Sequence, residues 1–381
     1  ASIGVWELQI GMQKGDGFQR GGVITSSGLF TARPAVGDYI AVDKTMDCAD
    51  ALDMAKDMKK SGLDTYAAYL SGGDWTVYVK DASVSAVEAA ADENASRVSF
   101  EGVAITGGEA PVLVPENAVM MGGNVADTFK LNSMPYRGML AFSLNGSRMR
   151  SVNSIGLEEY LYGVGPSEMP KSYDAEALKA QAVAARTYAM TKLGAHTGSG
   201  YQLCDTTACQ VYKGYSNEAD ATTAAVDATA GEVACYNGSP IEAVFSASTG
   251  GYTESSENVW NTAVPYLRAV SEPGEYGDNS WTKTLTLDEL TALLQAKGEN
   301  IGTAKDIVIT KLSTGGRVQE LQIVGTSGTK TLTKEAIRTY FSSACGTLPS
   351  KMFTINGKGG TVTGGTSTSA KGGLLSAAAR Q

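Results

Sequence analysis

Histidine is nearly absent, since His196 is the only one in 381 residues. Any imidazole-based triad must use that residue, and every metal site that needs two histidines is excluded. Charge is sparse and tilted: charged residues make up 19% of the chain, and 40 Asp plus Glu against 31 Lys plus Arg leave a net charge of −9. That balance removes the phosphate-neutralising attraction on which nucleic-acid binders draw, so nucleic acid is not an expected partner. No apolar run reaches the roughly 18 residues that suggest a bilayer-crossing helix, so no membrane span is expected in this chain. Five cysteines, Cys48, Cys204, Cys209, Cys235 and Cys345, are too few for a disulfide scaffold and leave the redox compartment open. The start, Ala1-Ser2-Ile3-Gly4, has neither a basic nor an apolar signal region, which fits a cytosolic chain or one whose targeting segment has been removed.

What is present is enough chain for two or three domains, with 45 glycines and 43% hydrophobic residues. The pattern reads as α+β. A first strand at Val5–Met12 ends in a Gly-bearing turn over Lys14–Gly17 and is expected to join a sheet formed later. From 38 to 101 the order is β-α-β-β-α-β: strands at Tyr39–Val42, Thr65–Leu70, Trp75–Val79 and Arg97–Phe100, helices over Ala49–Lys60 and Val84–Asn94. Ser71-Gly72-Gly73-Asp74 suits a hairpin turn, because glycine supplies the positive φ that tight turns require. A split βαβ of this kind gives a four-stranded antiparallel sheet with helices on one face.

In element order and length, and in the aromatics Tyr66, Tyr69, Trp75 and Tyr78, this segment resembles the SPOR domain, a small module that binds peptidoglycan glycan strands. The resemblance implies that 38–101 is a glycan-binding insertion in a larger domain made of 1–37 and 102–357. The same aromatics could equally pack beneath the helices of any ferredoxin-like fold. Residues 358–381 are Gly, Thr, Ser and Ala without periodicity, too poor in apolar groups to offset ordering entropy, and are expected to be a disordered tail.

Strands are expected around Asp127–Leu131, Gly138–Ser143, Arg148–Val152, Glu242–Ser248, Ile307–Leu312 and Val318–Val324, with helices at Leu287–Lys297 and Lys334–Ser342. The strongest helix runs from Asp174 to Leu193, with Asp174 as N-cap and Gly194 as C-cap. Its alanines make it nearly smooth, which suits a helix buried at the centre of a domain. Gln181, Arg186 and Tyr188 on it would need partners there.

Four segments carry the chemistry: Leu157–Pro170 with Glu168-Met169-Pro170 at its end, the stretch Glu176–Tyr188, the turn Asp205–Gly214, and Ser246-Ala247-Ser248-Thr249-Gly250-Gly251-Tyr252-Thr253. Together, and with Tyr136-Arg137-Gly138 before them and Pro265-Tyr266-Leu267, Gly316-Arg317-Val318 and Ile337-Arg338 after them, they resemble the stage II sporulation protein D family, which includes the amidase enhancers. The resemblance implies a lytic transglycosylase of bacterial peptidoglycan with Glu168 as catalytic acid and with no cofactor required. It also implies an extracytoplasmic, cell-wall location, glycan strands as partner and a cell-wall amidase as a possible second one. One carboxyl suffices for such an enzyme, whereas ordinary glycosidases use two; Glu158, Glu159, Asp174 and Asp205 are the carboxylates close in sequence that would make a hydrolase instead. Glu168 reads as lying between a Gly-Pro and a Pro-Lys turn, where a partly desolvated carboxyl is suited to give and take a proton.

Gln181 and Arg186 could orient Glu168 or bind sugar hydroxyls, although an Arg in an alanine-rich helix more often makes a structural ion pair. Gln210 belongs with them as a substrate contact. Tyr188 and Tyr212 could stack on sugar faces or be buried with bonded hydroxyls. Ser246, Ser248, Gly250, Gly251 and Thr253 form a hydroxyl- and glycine-rich loop along which a polymer could lie. Cys204 and Cys209 could close a disulfide, or hold structural zinc with His196 as third ligand; a disulfide or unliganded thiols is the preferred reading. Cys48, Cys235 and Cys345 read as buried small apolar residues.

Overall fold

The computed structural model describes residues 7–11, 22–25, 28–107, 110–115, 119–120, 128–131, 134–145, 148–272 and 281–355. The expected tail at 358–381, the turn over Lys14–Gly17, and the ends of the first strand lie outside these. The fold is mixed α+β, and the chain divides into two compact units, Ala1–Val244 and Phe245–Gln381.

In the first unit the strand Glu7–Gly11 pairs antiparallel with Arg148–Gly156 and parallel with Leu203–Cys204, so the opening strand does join a later sheet. Met139–Asn145 continues that sheet beside Arg148–Gly156. The β-α-β-β-α-β order is present, with helices α1 (Cys48–Lys60) and α2 (Val84–Ala91). Strand Gly28–Val42 lies between Ala95–Thr106 and Asp74–Lys80, and Asp64–Ser71 flanks the last, all antiparallel.

Two features depart from expectation. The expected borders at 38 and 101 fall inside the continuous strands Gly28–Val42 and Ala95–Thr106. Strand Val112–Pro115, unforeseen, pairs parallel with Asp64–Ser71 and antiparallel with Ala95–Thr106, so the strands close into a ring.

The ring sorts the aromatics by the two-residue period of its strands. Trp75 packs on the helix side with Ala51, Ala55, Met58 and Val77. Tyr66 and Tyr78 point to the opposite face, where Tyr39, Phe100 and Leu113 cover them. Tyr66 is only 3% exposed, so it is a core residue.

Helix α3 (Leu157–Glu168) extends through Gly165-Pro166, so Glu168 is its last residue and not part of a turn between two prolines. Proline this near a helix end forfeits a single backbone bond, which explains why the helix survives it. Helix α4 (Ala175–Thr191) starts where Asp174 accepts from the Glu176 amide, and ends at Lys192 rather than Gly194. Helix α5 (Asp220–Ala228) packs on both.

In the second unit, α6 (Leu287–Ala296) opens with a Thr286–Glu289 capping box and packs on the sheet Ala304–Leu312, Val318–Gly325 and Thr329–Thr333. No strand forms at 242–248: the Val244 amide bonds back to the Glu242 carbonyl, which folds the backbone on itself. The helix expected over Lys334–Ser342 is two short turns, Ala336–Thr339 and Ser342–Cys345.

Candidate active site

The candidate site in the first unit is built where the 205–214 segment crosses α3. Gly163 permits that crossing, because a Cβ there would lie 2.6 Å from the Tyr212 ring. The Tyr212 amide donates to the Asp205 carbonyl at 3.2 Å and closes the segment into a loop. From the loop, the Val211 amide donates to Oε1 of Glu168 at 2.8 Å. Among the described residues no other hydrogen bond or ion pair reaches this half-buried carboxyl.

The residues on either side of Val211 turn inward. Gln210, 1% exposed, donates through Nε2 to the Ala185 carbonyl of α4 at 3.2 Å and accepts from the Tyr160 hydroxyl of α3 at 3.3 Å. Tyr212 is buried between Tyr136 and Tyr160, and its hydroxyl donates to Oδ1 of Asn153 at 3.0 Å. Both are therefore anchors of the loop and are shut off from any polymer on the surface. Burial pushes the Tyr160 phenol well above its ordinary range, with Cys209, Tyr212, Cys204 and Glu168 adding to the shift.

Arg186 is also not where a sugar could reach it. It is fully buried, forked onto Glu158, and its guanidinium donates to the Glu232 and Val226 carbonyls at 3.1 and 3.2 Å. Its work is to tie α3 and α4 to the end of α5. Gln181 is half-buried over a small apolar pit lined by Leu161, Gly165, Met169, Leu178 and Val226. Tyr188 is half-buried with the Lys192 ammonium 5.4 Å from its ring centre, and Lys192 pairs with Glu242.

The hydroxyl- and glycine-rich loop belongs to the second unit. Ser246 Oγ donates to the Ser248 carbonyl, the Gly250 amide to Ser248 Oγ, and the Gly251 amide to Thr249 Oγ1. Gly250 and Gly251 have φ of 66° and 88°, which explains why both are glycine. Thr253 Oγ1 bonds the Arg268 carbonyl, and Arg317 grips the loop from outside by donating to the Thr249 and Tyr252 carbonyls.

His196 Nε2 lies 3.2 Å from Cys209 Sγ, and the ring stacks on Tyr201. His196 Nδ1 or Nε2 and the sulfurs of Cys204 and Cys209 all fall within 4.8 Å of one another, and both cysteines are free thiols. Two thiols and an imidazole at that spacing fit three corners of a tetrahedral zinc site, whose bonds run about 2.0–2.3 Å. Among the described His, Cys, Asp and Glu no fourth donor joins the cluster. Burial pushes the Cys209 thiol up to about 11. Cys48 and Cys235 are exposed and Cys345 is half-buried, so the reading of these three as core residues is corrected: Cys48 opens a helix and Cys235 sits in a two-residue hairpin strand.

Comparison with known proteins meets this geometry in its centre. Residues 145–236, which hold α3, α4, α5 and the 205–214 loop, match the family model described as stage II sporulation protein (SpoIID), and residues 276–370 match one described as a domain of unknown function (DUF8618). The segment around Glu168 is thus the part of the chain that is similar to the stage II sporulation protein D family.

Over 130 residues, 34% of this chain and 17% of that protein, it is 50% identical to the amidase enhancer of Bacillus subtilis. It is 38% identical to stage II sporulation protein D of the same organism over 39% of this chain and 48% of that one. An uncharacterized protein of Brachyspira hyodysenteriae is 36% identical over 60% of this chain and 61% of its own length. The chain therefore spans less than two thirds of each of these relatives. Among the described residues no helix is long and apolar enough to cross a membrane.

Proposed function

We propose that this chain cleaves the MurNAc–GlcNAc bond of bacterial cell-wall glycan as a lytic transglycosylase, outside the cytoplasm, with Glu168 as its acid and base. The observation that carries the reading is the Glu168 carboxyl itself, held by one oxygen at the end of α3 through Val211 and, among the described residues, without an ion-pair partner. Two of the four nearby carboxylates are committed elsewhere, Glu158 to Arg186 and Asp174 to the start of α4. In the reaction Glu168 gives its proton to the glycosidic oxygen as the C1–O bond breaks. It then takes the proton of the sugar's own C6 hydroxyl as O6 bonds C1, so a 1,6-anhydro ring forms, the acid is restored and no water is consumed. The 38–101 segment is proposed as a SPOR-like glycan contact. If zinc occupies His196, Cys204 and Cys209, it fastens the loop that carries Val211.

Mass spectrometry of soluble products from peptidoglycan glycan, with and without stem peptides, tests the reading on the chain and on Glu168→Gln. Anhydro ends that vanish in the variant are expected, and reducing ends would mean a hydrolase. The 50% identity to an amidase enhancer supports a second reading, in which the chain binds glycan and activates an amidase; intact glycan with bound protein would favour it.

A further inference from the structure

Glu168 ends a helix, where a side chain has fewer neighbours to fix its rotamer than it would in the middle, and among the described residues its polar contact is a backbone amide on a loop. Something must hold that amide in place. Val211 has no side-chain polar group to do so. The residue before it has: Gln210 carries a donor and an acceptor, and both are used inside the protein, on two different helices. Nε2 reaches the Ala185 carbonyl on α4, and Oε1 accepts from Tyr160 on α3. Tyr160 is fully buried, so its phenol remains a donor and no water competes for Gln210. The peptide between Gln210 and Val211 is the one whose N–H points at Glu168.

Resting on the proposed role of Glu168, we infer that Gln210 is a positioning residue for the catalytic acid, and Tyr160 its support. Together they fix the Val211 amide and through it the carboxyl that must meet a glycosidic oxygen. An anchor that sets geometry to within an ångström is felt in turnover: displacement of about 1 Å costs about 10²-fold. Ground-state glycan affinity, made elsewhere, is unaffected.

The test has two readouts on Gln210→Leu and on Tyr160→Phe, which removes one hydroxyl and keeps the ring. The first is amide hydrogen exchange at Val211 in the intact chain; the second is steady-state glycan cleavage. Gln210→Leu is expected to raise Val211 exchange, with α4 core amides unchanged, and to lower kcat on the order of 10²-fold at a KM within about twofold. Tyr160→Phe is expected to do the same to a smaller extent. Gln210→Met, which fills the volume without hydrogen bonds, is expected to match Gln210→Leu, separating bonding from packing. Unchanged Val211 exchange in these variants, or a loss carried by KM, would overturn the inference. If exchange moves as expected but the unaltered chain cuts no glycan, the role of Glu168 as acid fails instead, and Gln210 is left holding a carboxyl of another use.

Discussion

Arg186 and Glu158 form a two-pronged ion pair between α4 and α3, Nε to Oε1 at 2.9 Å and Nη2 to Oε2 at 2.6 Å, with the Arg side fully buried and the Glu side 32% exposed. Breaking one partner leaves either a guanidinium in the interior or a carboxylate facing orphaned carbonyls. Glu158→Gln and Arg186→Met are each expected to cost about 3 kcal/mol or more. The double variant should cost clearly less than the two together, because the second change removes a charge already unpaired. Urea unfolding of the four proteins decides it; additive losses would show that the pair is not coupled.

Alkaline pH should unfold this protein earlier than its composition suggests. Burial lifts Cys209 from an ordinary 9.0 to about 11, and Tyr136 and Tyr162 from 10.0 to about 12. A group whose pKa is raised on folding stabilises fully below its unfolded value and loses that contribution as pH climbs through the folded one. The melting temperature is therefore expected to hold to about pH 9 and decline between about pH 9 and 12. Cys209→Ser should flatten the first part of the decline. A melting temperature constant to the top of that range would contradict these assignments.

Gly163→Ala should disturb the site without touching a polar group. The added methyl meets the Tyr212 ring, which is itself packed between two other tyrosines and cannot retreat. A loss of about 1–3 kcal/mol is expected, with reduced glycan release. Gly194→Ala, in open space, is the control and should stay within about 0.5 kcal/mol. Equal effects at the two positions would refute the close approach.

In the second unit, Arg317→Ala should loosen the Ser246–Thr253 loop and leave the sheet intact. The two carbonyls it serves, of Thr249 and Tyr252, bracket both glycines. Exchange at the Gly250 and Gly251 amides is expected to rise about tenfold, the worth of roughly one net hydrogen bond. Rates unchanged there would mean that the loop holds itself.

Much of this was legible in the sequence where the signal is local. The Asp174 cap and the alanines announce α4, and the Ser71–Asp74 turn announces its hairpin. Glu168 stands out by its motif. Its partner does not, because Val211 contributes a backbone amide, and every residue but proline has one. Gln210 looks like surface chemistry by type, and Tyr212 reads equally as a sugar contact or as a buried phenol. Arg186 was recognisable as in need of a partner, but Glu158 lies 28 residues away with no spacing rule to connect them. Val112–Pro115 is too short a run to declare a parallel pairing with a strand more than forty residues earlier.

That short strand has a consequence for how the first unit can be cut or exchanged. Because it shuts the ring against Asp64–Ser71, and because Gly28–Val42 and Ala95–Thr106 run through both expected borders, the 38–101 segment is not a bead strung between linkers. A graft trimmed at those borders would sever two strands and bare their edges to any neighbouring chain. The smallest piece that keeps the strands of the ring whole is 28–115, and any pull on it would be felt along the same two strands.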